Sequence, residues 1–245
     1  MNNIIQHTLT IADHTIGSPL ALSSPDYATK AWRKYDDIAA LQHPSIHIKQ
    51  GRLANIDPDR RVGRIQLNDC EAHEQPYDFF IAATGLRRVW PVVPQSLTKA
   101  EYLAETADHI ESVTTASHGT VVIGGGAVGI EMAAEAKLCH PHTKVTLVHS
   151  RDKILSSEPL PDETKDVALQ ALRDAGVEVL LSERVTGTTA SIGPDGRPMQ
   201  TLTLQDGKHL VASQVISAIS QSVPNTSYLP KSALDSEGLV KIDPQ

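Results

Sequence analysis

The sequence predicts an α/β protein built on a doubly wound parallel sheet, and three observations carry that prediction. A short β-branched apolar run, Thr120-Val-Val-Ile123, leads into three glycines spaced G-x-G-x-x-G at Gly124, Gly126 and Gly129. A helix signal follows at Met132-Ala-Ala-Glu-Ala-Lys-Leu138, and a second apolar strand, Lys144-Val-Thr-Leu-Val148, arrives at the distance of a β-α-β unit. Strand and helix signals keep alternating around this unit, the pattern of helices layered on a parallel sheet.

Each element of the glycine unit has a physical reason. A four-residue β-branched run reads as a buried parallel strand. Gly124 lets the strand turn sharply, Gly126 lets backbone approach a pyrophosphate, and Gly129 lets the helix pack closely on the strand. The free amides at the helix start, from Ala127 and Val128, would face the phosphates with the helix dipole behind them. The expected unit is therefore a Rossmann-type dinucleotide site.

Composition narrows the alternatives. At 245 residues the chain is long enough for one large domain or two modest ones, and 40% hydrophobic with 21% charged residues is ordinary for a globular protein. Twenty-two Lys and Arg against 29 Asp and Glu give a formal net charge of -7, which argues against nucleic acid or an anionic membrane as the main partner. Aromatic residues are only 4%, too few for base-stacking platforms. Cys70 and Cys139 form no C-x-x-C and read as reduced thiols of a cytoplasmic protein. No stretch is long or apolar enough for a transmembrane anchor, and the first residues do not read as a signal peptide or a myristoylation site.

In chain order, the first 23 residues carry one strand signal, Thr8–Ala12, broken by Gly17-Ser-Pro19. A helix, or two short ones, is expected from Ser24 to Leu41. Strands are expected at Ile46–Ile56 and Val62–Leu67 with an Asp57-Pro-Asp-Arg60 turn between them. Tyr77–Ala83 reads as a buried strand ending at Thr84-Gly85, and Pro91 and Pro94 mark a linker. Thr98-Lys-Ala-Glu101 is a capping box, predicting a helix towards Val113. After the glycine unit, Pro161 and Asp162 open a helix with Ala168, Ala171, Leu172 and Ala175 on one face, closed by Gly176. Val177–Leu181 is the third strand of a right-handed series, Gly193-Pro-Asp-Gly196 a hairpin turn, and Val215–Ile219 a last buried strand.

Candidate chemistry centres on the end of the second strand. Sites for NAD usually place Asp or Glu there, about twenty residues past the glycines, to bond the ribose hydroxyls. Here the residues are His149, Ser150 and Arg151. Two readings stay open: Arg151 with His149 attracts a 2′-phosphate, or all three are ordinary loop residues. Glu131 is either a cofactor contact or a carboxylate stabilised by the first helical turn. Cys139, His140 and His142 sit in a Pro141-containing loop without a matching second ligand pair, so no metal is expected. No nucleophile-elbow motif is present, and catalytic residues stay unassigned.

The segments Gly124–Glu135, Lys144-Val-Thr-Leu-Val-His-Ser150 and Leu180-Leu-Ser-Glu-Arg-Val185 resemble the NAD(P)H domain of flavoprotein oxidoreductases. The nearest group is the apoptosis-inducing-factor-like set that includes the ferroptosis suppressor. Ile81-Ala-Ala-Thr-Gly85 resembles the Ala-Thr-Gly segment closing the first FAD section, and Val215–Thr226 the strand returning towards FAD. Gly17–Leu22 resembles a stretch lying near the flavin ring. The resemblance implies NAD(P)H and FAD as cofactors, hydride transfer from one to the other, and a small-molecule electron acceptor. It also implies that Glu131 orients the nicotinamide amide, that Thr84 and Gly85 belong to the FAD side, and that both NADH and NADPH are accepted. The chain departs from the family at four places. The family's opening FAD glycine unit and its C-terminal Gly-Asp motif are absent, Ser220 replaces an expected glycine, and Leu20 stands where relatives carry arginine. The expected domains are an incomplete FAD unit at 1–90, an NAD(P)H-binding domain at 91–220, and a returning FAD segment at 221–245. FAD is expected to be held weakly, or with the help of a complementing flavoprotein chain or a second copy. The alternative is a non-catalytic NAD(P)-binding remnant.

Overall fold

The computed structural model describes residues 2–6, 10–12, 18–67, 72–87, 90–91, 96, 98–219 and 223–242. Cys70, Pro94, Ser220 and the stretch around Gly17 lie outside them. The first part of the chain holds β1 (Asn2–Gln6), β2 (Thr10–Ala12), α1 (Ser18–Ala21), α2 (Pro25–Ala31), β3 (Trp32–Lys34), β4 (Ile46–Asp57), β5 (Val62–Leu67), β6 (Ala72–Pro76) and β7 (Leu86–Arg87). The glycine-centred part follows with α3 (Lys99–Thr114), β8 (Thr120–Ile123), α4 (Ala127–Cys139), β9 (Val145–Val148), α5 (Asp162–Asp174) and β10 (Glu178–Leu180). It continues through β11 (Val185–Ile192), β12 (Pro198–Leu204), β13 (His209–Ala212), β14 (Gln214–Ser217) and β15 (Val223–Pro224).

Two compact units emerge, one from residues 1–12, 33–88 and 221–245, the other from 13–32 and 89–220. Sequence reading put residues 18–32 with the first unit. They pack with the second because α1 lies against α4, α2 lies against α3, and Trp32 stacks on Tyr102 with ring centroids 4.9 Å apart.

The second unit is organised by a parallel sheet in the order β10-β9-β8-β14. Numbered within this sheet the order is 3-2-1-4, as in the Rossmann arrangement, with the glycine strand β8 inside the sheet. Alternation sets the two faces. Val122, Val145, Leu147 and Ile216 point to a core shared with Met132, Ala133 and Ala136 of α4, Leu172 of α5 and Val113 of α3. Val121 and Val148 point the other way, onto Leu202, Leu204 and Ala212. That second face is covered by the antiparallel meander β11-β12-β13 instead of by helices. The hairpin turn at Gly193–Gly196 is present, with Gly196 at φ 75° and its amide donating to the Gly193 carbonyl at 3.0 Å.

Local signals account for the helices. Thr98 accepts from the Glu101 amide at 3.3 Å while Glu101 accepts from the Thr98 amide at 3.0 Å, so the capping box is complete. Helix α5 closes with Gly176 at φ 88°, its amide bonded to the Arg173 carbonyl and that of Val177 to the Leu172 carbonyl. This is the Schellman arrangement.

The first unit contains the four-stranded sheet β1-β4-β5-β6. Two expectations fail around the sheets. Residues 77–83 are not a buried strand: Phe79 is 92% and Ile81 87% exposed, and only Phe80 packs, against Tyr77 and Tyr228. A buried strand needs neighbours on its edges, and among the described residues no strand pairs with this segment, whose Tyr77 amide alone donates to the Arg61 carbonyl at 3.0 Å. Of the helix, or two short ones, expected over 24–41, α2 stops at Ala31, where Trp32 is buried against Tyr102 and the chain runs extended to Lys34, and short 3-10 helices follow at Tyr35–Asp37 and Ala39–Leu41. The last strand ends at Ser217, leaving Ile219 exposed, since its partner β8 turns away at Gly124.

Candidate nucleotide site at the glycine turn

The site grows from the carboxyl end of β8, next to the place where the strand order reverses between β8 and β14. Gly124 adopts φ 114°, a backbone that other residues rarely take, and a Cβ there would lie 3.0 Å from the Ala218 carbonyl oxygen. A Cβ on Gly129 would run into the Gly124 carbonyl oxygen, so helix and strand touch backbone to backbone. Gly126 differs from both. It has an ordinary φ of -81°, and a Cβ built on it would meet no atom within 4 Å. Nothing inside the chain demands glycine at position 126.

Gly126 is the N-cap of α4 and provides no side-chain cap. The amides of Ala127 and Val128 are thus helix-start donors without an intrahelical partner. Buried Gly129, Met132, Ala133 and Ala136 recur at helical spacing and seat the helix on the sheet. Glu131 lies outside that face and is exposed, with no hydrogen-bond or ion-pair partner among the described residues. Partial burial, and then neighbouring Glu135, raises its carboxyl above the ordinary carboxylate range.

His149, Ser150 and Arg151 extend from the end of β9 beside the same turn. The Gly125 amide donates to His149 Nδ1 at 3.1 Å, and His149 Nε2 lies 3.1 Å from Ser156 Oγ. Burial, more than the nearby Arg151 charge, lowers the imidazole below its usual titration. Ser150 is exposed. Arg151 is exposed too, its guanidinium reaching only the Ser156 carbonyl at 3.5 Å. The structure therefore gathers Gly124, Gly126, Ala127, Val128, Gly129, Glu131, His149, Ser150 and Arg151 around one turn.

Thr84 and Gly85 belong to the first unit. The Thr84 hydroxyl lies 2.9 Å from both the Asn225 carbonyl and the Tyr228 hydroxyl. Gly85 takes φ 61°, and β7 after it pairs antiparallel with β15. The returning segment thus reaches the Ala-Thr-Gly segment. Ser156, Gly125 and Leu155 were not picked out by sequence. No spacing rule marks a serine seven residues past His149.

Cys139 is an exposed free thiol, His140 Nε2 sits 3.0 Å from the Ser23 carbonyl, and no metal-holding cluster occurs among the described residues. No described helix is long and apolar enough to cross a membrane.

Strand order, glycine turn and uncapped helix define a Rossmann-type α/β protein. The chain belongs to the pyridine nucleotide-disulphide oxidoreductase family, which it matches over residues 12–245. It is 50% identical over 232 residues to oxidoreductase OXR1 of Ajellomyces capsulatus, an alignment covering 94% of this chain and 50% of that protein. It is 28% identical over 199 residues to ferroptosis suppressor protein 1 of Mus musculus, covering 80% of this chain and 52% of the relative. The chain spans about half the length of the curated relatives it matches. Among solved structures, reduced Bacillus anthracis CoADR-RHD superposes with a TM-score of 0.71 at 18% identity, over 96% of this chain and 42% of that one. The water-forming NADH oxidase of Lactobacillus brevis bound to NADH gives 0.67 at 20% identity, over 92% and 49%. Those two likenesses establish the fold.

Proposed function

We propose that this chain is an NAD(P)H-dependent flavoprotein oxidoreductase, passing hydride from NAD(P)H to FAD and electrons on to a small-molecule acceptor such as a quinone. The observation that carries the reading is Gly126. It is a glycine that the fold does not require, set before an uncapped helix, with open space where a side chain would be. A pyrophosphate over Gly126 and the Ala127 and Val128 amides gives that open space a purpose. The residues present fit such a group. Ser150 and Arg151 would face the adenosine ribose, and Glu131, exposed and unpaired, would orient the nicotinamide amide.

On the FAD side, Thr84, Gly85 and the segment after Val223 would line the cofactor. Nicotinamide and flavin provide the reactive atoms, and the protein has to stack them and exclude water. The sequence has no paired cysteines, so dithiol exchange is not part of the proposal. A cytoplasmic location, where isolated thiols such as Cys139 stay reduced, accords with this reading.

The test is NAD(P)H oxidation by the purified chain, with and without added FAD, using several quinones as acceptors. Activity that appears or rises with FAD is expected. Nucleotide binding with no oxidation under excess FAD would replace the proposal with a non-catalytic NAD(P)-binding module.

A further inference from the structure

The segment after β9 holds Gly125 from both sides of its peptide. The Gly125 amide donates to His149 Nδ1 at 3.1 Å, and the Gly125 carbonyl accepts from the Leu155 amide at 2.7 Å. A Cβ on Gly125 would lie 2.8 Å from His149 Cγ, so the ring rests directly on the turn. The segment is itself anchored. Ile154 is fully buried, Leu155 is buried with φ 51°, and the backbone of His149 and Arg151 accepts from the Glu183 and Ser182 amides.

This geometry fixes the imidazole chemistry. A backbone amide can only donate, so Nδ1 must be unprotonated, and the neutral ring carries its proton on Nε2, aimed at Ser156 Oγ. With Nδ1 protonated, two donors would face each other and the contact would open. The charged neighbours of the ring are Arg151 and Asp152 on its own segment, and a hydrogen bond to the Lys153 backbone favours the protonated ring against the burial that disfavours it. The glycine turn offers no titratable group, and Glu183 meets His149 through its backbone amide.

We infer that His149 is a positioning residue, whose neutral ring, steadied by Ser156, clasps the glycine turn in the shape that presents the Gly126, Ala127 and Val128 amides. The inference rests on the nucleotide reading of this turn. Because the clasp acts on the turn and not on the 2′ position of the ribose, NADH and NADPH depend on it equally.

Two measurements on the full chain test this. First, nitrogen-15 NMR of the histidine rings without nucleotide should show the Nε2–H tautomer for His149, with the Gly125 amide shifting as that ring titrates. Second, calorimetry from pH 8 downwards should show both nucleotides weakening by the same factor once His149 protonates. Roughly fivefold is expected, the worth of one backbone hydrogen bond. His149→Asn, whose Oδ1 replaces the Nδ1 acceptor but does not titrate, should make binding independent of pH over this range. A His149 ring protonated on Nδ1 at neutral pH overturns the clasp. So does NADPH binding that strengthens in acid while NADH binding stays level, which would make His149 a phosphate ligand. No binding of either nucleotide, with the tautomer as expected, overturns the nucleotide reading and this inference with it.

Discussion

At the scale of single residues, the glycine turn separates what the fold needs from what a ligand needs. Gly124 and Gly129 are required by left-handed backbone and by backbone contact, whereas Gly126 has neither reason. Beside the turn, Arg151 is exposed, and its guanidinium reaches only the Ser156 carbonyl among the described residues. Arg151→Glu should therefore weaken NADPH by roughly 1 kcal/mol or more, the scale of a charge-assisted contact, and NADH much less. Calorimetry giving equal losses would remove Arg151 from the site. The three motif glycines were legible because their spacing encodes backbone geometry. The His149 position was also legible, as the place where a carboxylate is missing, but its inward role was not. Nothing in the sequence says that His149 spends Nδ1 on Gly125, because that bond depends on how the 149–156 segment folds back.

Among the elements, α3 shows a burial that carries a pH dependence. His109 is buried on this helix with its Nδ1 unpartnered and its ring edge-on to Trp90, centroids 5.8 Å apart. Burial lowers its pKa from 6.5 to about 4. Between these values the unfolded chain takes up a proton that the folded chain refuses. Stability is then complete above pH 6.5, falls by about 3 kcal/mol as the pH drops to 4, and levels off below. Thermal melting across that range checks the sign, and His109→Leu should flatten this part of the profile. The start of α3 was legible from Thr98 and Glu101, and the end of α5 from Gly176, because caps are local chemistry. Residues 77–83 were misread for the opposite reason. Tyr-Asp-Phe-Phe-Ile has the composition of a buried strand, but burial is settled by the neighbours, and Phe79 and Ile81 have none among the described residues. The meander was half legible: its hairpin glycines are visible in the sequence, its role in covering Val121 and Val148 is not.

For the whole molecule, the strand order β10-β9-β8-β14 places the glycine turn beside the point where that order reverses. The central claim is that NAD(P)H lies over Gly126. Titration calorimetry of NADPH and NADH into the wild-type chain and Gly126→Val tests it most directly, with thermal melting of both proteins as the control. The account predicts a folded variant whose melting temperature falls by no more than a poorer helix N-cap costs, since a Cβ at 126 meets nothing within 4 Å, and loss of binding for both nucleotides by at least about tenfold. Wild-type affinity retained by a folded Gly126→Val chain would contradict it.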